Sequence, residues 1–165
     1  MEKNNFSINF LQIGIGFTAL AVGTLVYIID RPPGDTYFIS RFGIEAFLPD
    51  RLPTLFGRAG NVLPALTHAF ALPLITAGIL SSGKKGCGII VVCWFLVDLA
   101  FEIGQQFGSS IAERVPVWFR GIPFLENTGA FFRRGTFDWL DILAIALGAA
   151  SAYAIALPTC RRNRP

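Results

Sequence analysis

Apolar residues gather in four long runs, at about residues 8–29, 60–80, 86–107 and 139–158, and charge, proline and glycine concentrate between them. Each run is close to the ~20 residues that a helix needs to cross a hydrocarbon core of about 30 Å. The pattern predicts an all-α integral membrane protein, a single membrane domain (residues 1–165) built as a four-transmembrane-helix bundle. The first run holds no charged residue. It is longer than the apolar core of a cleaved signal peptide, and no small-x-small site follows it before Asp30, so a retained helix is expected. Gly14, Gly16 and Gly23, and the stripe Ala144, Gly148 and Ala152, offer flat surfaces for close helix contact.

The connections differ in kind. Arg31-Pro32-Pro33-Gly34-Asp35 stops the first helix, and Ser81-Ser82-Gly83-Lys84-Lys85-Gly86 makes the second and third runs an antiparallel hairpin. Pro73, inside the second run, has no N–H for the carbonyl of Ala69, beside His68. The two long connections, roughly 36–58 and 108–137, interleave aromatic and charged residues, as in Val117-Trp118-Phe119-Arg120 and Phe131-Phe132-Arg133-Arg134. They are predicted to be aromatic-rich extracytoplasmic loops or interfacial helices over the bundle.

A composition 53% hydrophobic and 15% charged, with mean hydropathy +0.54, excludes an ordinary soluble domain. The net charge of +3 is scattered through short flanks, so no nucleic-acid partner is expected. Lys3, Lys84-Lys85 and Arg161-Arg162-Asn163-Arg164 fall in three segments that a four-span chain places on one side. The positive-inside tendency then predicts cytoplasmic N and C termini. Cys87 and Cys93, six apart in one run, face different sides of a helix, and Cys160 lies beside the terminal arginines. The three are expected to be unpaired apolar residues rather than a disulfide or metal framework.

Candidate chemistry centres on Asp98-x-x-x-Glu102-x-x-Gln105-Gln106 in the third run. A charge near the middle of a spanning helix costs roughly 2.5–3.5 kcal/mol, so two carboxylates need partners, protonation or a wet cavity. Asp98, Glu102 and Gln105 fall within about 60° of one another on a helix. Glu102, His68, Gln105, Gln106, Asp138 and Asp141, with Arg120, Arg133 and Arg134 nearby, are expected to converge at one outer depth, while Asp98 stays alone and deeper. The structural alternative is that Arg133 or Arg134 simply neutralises Asp138 or Glu102. Asp138 and Asp141 also suit a helix N-terminus as caps. A metal site from His68, Glu102 and Asp141 matches no established spacing, and no serine sits in a Gly-x-Ser-x-Gly context for hydrolase chemistry. No metal or cofactor is expected.

Three segments resemble the VanZ-like family of small bacterial membrane proteins. They are Thr67-His68-Ala69-Phe70, Glu102-Ile103-Gly104-Gln105, and the run from Arg134 through Asp138 and Asp141 to Gly148. The chain departs from the family pattern at Ile145, where an asparagine is typical. The resemblance implies a bacterial inner-membrane, cell-envelope protein, and the family's named member is associated with glycopeptide antibiotic resistance.

The expected function is an outward-facing polar pocket acting on or around lipid-linked or cell-envelope material, with membrane lipids as partners. In that reading Glu102 and His68 move protons, and Gln105, Gln106, Arg120, Arg133, Arg134, Asp138 and Asp141 bind. The alternative is a non-catalytic membrane subunit that docks a partner protein through its aromatic loops. Ion or proton conduction is disfavoured, because Asp98 is the one acid placed near the midplane.

Overall fold

In the computed structural model of the chain, residues 8–31, 39, 41–43, 54–123 and 125–160 are described. Lys3, the terminal arginines and most of the first long connection lie outside them. Four helices are long and apolar enough to cross a membrane. They are α1 (Phe10–Ile29), α2 (Ala59–Leu80), α3 (Lys84–Gln106) and α6 (Trp139–Thr159). Two short helices, α4 (Gly108–Arg114) and α5 (Thr128–Arg134), join α3 to α6, with 3-10 turns at Val117–Gly121 and Leu125–Asn127 between them.

The helices run up and down, so each end of the bundle gathers residues distant in sequence. Helix α2 is the hub, packed between α1 and α6, while α3 lies against α6 and α2. Small residues make these contacts close. A Cβ at Gly16 would fall 2.6 Å from Ile75, one at Gly23 would strike the Thr67 hydroxyl, and one at Gly148 would sit 2.5 Å from the Leu66 carbonyl. The small-residue stripe on α6 is buried as expected, whereas Gly14 faces open space and packs against nothing. Helix α2 continues through both Pro64 and Pro73.

The turn after α2 is tighter than the sequence suggests. Ser81 adopts a left-handed conformation with φ 48°, and Lys84 and Lys85 already belong to α3. At this end, buried Gln12 donates to the Thr159 hydroxyl at 2.8 Å, and Asn9 donates to the Thr159 carbonyl at 2.8 Å. Beside them Cys87 and Cys160 form a disulfide, and Cys93 is free. This corrects the expectation of three unpaired cysteines. The helix periodicity that separates Cys87 from Cys93 is silent on which helix end meets Cys87.

At the opposite end Asp30 closes α1 and accepts the backbone N–H of Leu55 at 2.8 Å and of Phe56 at 3.0 Å. The carboxylate thereby ties the first helix to the approach of the second.

Candidate functional site

Glu102 reaches the end of the bundle opposite the disulfide because α3 carries it one turn from its C-terminus. There it is only 5% exposed. One oxygen accepts the backbone N–H of Asp138 at 2.8 Å, and the other accepts the Gln105 side-chain amide at 3.1 Å. Asp138 in turn caps α6, its carboxylate accepting the N–H of Leu140 at 2.9 Å. Gly135 makes the approach possible, since a Cβ there would lie 2.6 Å from the Gln105 side-chain oxygen. Glu102 is therefore a brace between α3 and the start of α6, with both oxygens engaged.

Around this brace lies an open cavity of about 910 Å³. Helix α1 contributes Tyr27, followed by Arg31, and α2 contributes Asn61, Pro64 and Ala65. Helix α3 supplies Glu102 and Gln105, and α6 supplies Asp141 next to its cap Asp138. The α5 region adds Phe131, Arg134, Gly135 and Thr136, and Arg41 comes from the first long connection. Phe101 stacks on Phe132 with ring centroids 5.8 Å apart, and so fixes α5 against α3.

The charges are unevenly occupied. Arg41 lies 3.7 Å from Glu126, and Arg31 rests over the Tyr27 ring at 5.0 Å. Neither Arg31 nor Arg134 makes an ion pair within 4.0 Å among the described residues. The Asp141 carboxylate accepts no hydrogen bond there, and its Oδ1 is buried. A comparison with protein families, curated proteins and solved structures finds no match for the chain.

Of the residues singled out in sequence, Glu102, Gln105, Arg134, Asp138 and Asp141 come together in the cavity wall. Gln106, Arg120 and Arg133 are exposed and do not line it. The alternative, neutralisation of Glu102 or Asp138 by Arg133 or Arg134, is not formed among the described residues. His68 also stands apart from the cavity. Its Nδ1 is 3.0 Å from Asp98 Oδ1, and its ring meets Trp94 edge-on at 6.4 Å. Asp98 is thus not alone. One α3 face sends Asp98 to α2 and Glu102 to α6, a division that periodicity cannot show.

Sequence reasoning missed Tyr27, Arg31, Arg41, Asn61 and Asn127 as cavity residues. The place of Arg31, immediately beyond the first apolar run, was an available signal. Arg41 had none, because its location depends on how the first long connection folds back. Among the described residues, no three His, Cys, Asp or Glu side chains cluster closely enough to hold a metal ion.

Proposed function

We propose that the chain is a multi-pass protein of the bacterial inner membrane whose polar cavity opens on the outer side and holds the phosphate-bearing headgroup of a lipid or lipid-linked envelope compound. The observation that carries this reading is the pair Arg31 and Arg134, two guanidiniums on the cavity wall with no carboxylate within 4.0 Å among the described residues. Guanidinium forks match phosphate oxygens in geometry and charge. Arg31 directly follows α1, and Arg134 ends the short α5 just ahead of α6; the ends of spanning helices are where lipid headgroups lie. Binding is better supported than proton transfer, because Glu102 is engaged on both oxygens and His68 is elsewhere.

Membership of the VanZ-like family belongs to this proposal, as does any role in antibiotic resistance. Its Glu102-x-x-Gln105 and Asp138/Asp141 segments supply cavity residues, whereas its histidine segment does not. Cytoplasmic N and C termini follow from the positive-inside tendency, with Lys84 and Lys85 at that end. The disulfide at the same end pulls the other way, since cytoplasmic thiols are kept reduced. Impermeant labelling of a cysteine placed after residue 160 in intact cells decides the orientation.

To test the headgroup reading, the purified protein is analysed for retained lipid by native mass spectrometry. Phosphate-bearing lipid should remain bound to the parent protein and be lost from Arg31→Gln and Arg134→Gln. Unchanged retention in both variants refutes the reading.

A second reading, partner docking, is favoured by one feature. Trp118 is 64% exposed and rests edge-on against Phe119 at 4.5 Å, leaving an aromatic knob on the connection between α4 and α5. Trp118→Ala should then abolish co-purification of a membrane partner while leaving lipid retention unchanged.

A further inference from the structure

The cavity wall carries three guanidiniums (Arg31, Arg41, Arg134) and three carboxylates (Glu102, Asp138, Asp141), so with all six ionised its formal charge is zero. Two of the carboxylates have structural roles, Glu102 as the brace between α3 and α6 and Asp138 as the cap of α6. Their individual bonds show which charges are spoken for. Glu102 is engaged by Asp138 and Gln105, Asp138 by the N–H of Leu140, and Arg41 by Glu126. Arg31, Arg134 and Asp141 make no ion pair within 4.0 Å among the described residues, Arg31 resting over the Tyr27 ring while its charge acts on Asp141 from beyond that distance. Asp141 is the unusual one. Its carboxylate lines the cavity, accepts no hydrogen bond among the described residues, and has one oxygen, Oδ1, buried. A buried carboxylate oxygen without a donor is an unfavourable arrangement that a bound cation relieves. The wall therefore offers an anion site and a cation site within one cavity.

We infer, resting on the headgroup reading above, that the ligand is an amino-phosphate of the phosphoethanolamine class, its phosphate held by Arg31 and Arg134 and its primary ammonium by Asp141. A primary ammonium brings three N–H donors to a carboxylate that accepts no hydrogen bond and has no ion pair within 4.0 Å among the described residues, the Arg31 charge acting on it only from farther away. A ligand with balanced charges leaves the neutral wall neutral, whereas a phosphate alone adds uncompensated negative charge beside three carboxylates. The rival cation is a divalent metal bridging Asp141 to a phosphate. It is separable by experiment.

The full-length protein is placed in detergent with an equimolar mixture of phosphatidylethanolamine and phosphatidylglycerol, and bound lipid is counted by native mass spectrometry with and without EDTA. Phosphatidylethanolamine should be retained about tenfold over phosphatidylglycerol, the size expected for one charge-assisted contact. EDTA should change nothing. Asp141→Asn should bring the ratio close to one while phosphate lipid stays bound, Asp141→Glu should restore it, and Arg134→Gln should lower both lipids together. If Asp141→Asn fails to fold, the wild-type ratio and the Asp141→Glu ratio still decide. Equal retention of the two lipids by the wild type overturns the amino-phosphate assignment and leaves the headgroup reading in place. Retention of phosphatidylglycerol that EDTA abolishes overturns it in favour of a bridging metal. Retention of neither lipid overturns the headgroup reading itself. Free glycerophosphoethanolamine and inorganic phosphate, added as competitors, separate a lipid from a soluble source. If only the soluble compound displaces bound lipid, the same amino-phosphate chemistry is confirmed with a water-soluble ligand. If phosphate competes as well as glycerophosphoethanolamine, the ammonium contributes nothing and the assignment falls.

Discussion

Glu102 and Asp138 are joined by a 2.8 Å hydrogen bond in which a side chain from one long helix accepts the backbone N–H of the residue that caps another. The acid that is anomalous in the apolar α3 thereby sets where α6 begins. Glu102→Ala removes an acceptor for two donors in a nearly dry place. The loss should be about 1.5–3 kcal/mol, measured by denaturant titration in micelles followed by circular dichroism. Glu102→Gln keeps one acceptor oxygen and should cost less. Equal stability of Ala and Gln variants contradicts the bracing role.

His68 and Asp98 should behave as a coupled pair. Asp98 is 8% exposed and its second oxygen has no partner, so His68→Ala leaves a buried carboxylate with nothing. His68→Ala should therefore destabilise more than the double variant His68→Ala/Asp98→Asn. A double-mutant cycle should give a coupling of about 0.5–3 kcal/mol. Additive effects show that the 3.0 Å contact carries no energy.

Two glycines that look alike in sequence should respond oppositely. Gly148→Ala places a methyl 2.5 Å from the Leu66 carbonyl and 3.1 Å from Ala69, forcing α2 and α6 apart at a cost of about 1–3 kcal/mol. Gly14→Ala meets nothing within 4 Å and should be neutral or stabilising by up to about 1 kcal/mol through helix propensity. The pair is measured side by side as shifts in the unfolding midpoint.

Of the three cysteines, one should react with an alkylating reagent in denatured, unreduced protein, and three after reduction. Intact mass spectrometry counts the additions. Three labels before reduction contradict the Cys87–Cys160 bond.

The four long helices were legible in sequence because about 20 apolar residues in a row constrain length directly, and the structure shifts their ends by only a residue or two. The polar group at the end of the bundle opposite the disulfide was legible in part. Glu102, Gln105, Asp138 and Asp141 sit on faces and ends that helical rise alone places together. What failed was the choice of neighbour. Asp98 and Glu102 share a face, and only the packing of α3 across both α2 and α6 sends one to His68 and the other to Asp138. The Cys87–Cys160 bond spans 73 residues and was invisible for the same reason. Arg133 and Arg134 show the limit most sharply. Adjacent on α5, they point differently, and only Arg134 joins the cavity wall.

The first and last long helices touch each other only slightly, yet both furnish walls of the cavity, Tyr27 from one and Asp141 from the other. During synthesis, α1, α2 and α3 emerge before α6. The cavity therefore has no complete rim until α6 has left the ribosome and docked on α2. A truncated or stalled chain carries the guanidinium of Arg31 but none of the α6 carboxylates.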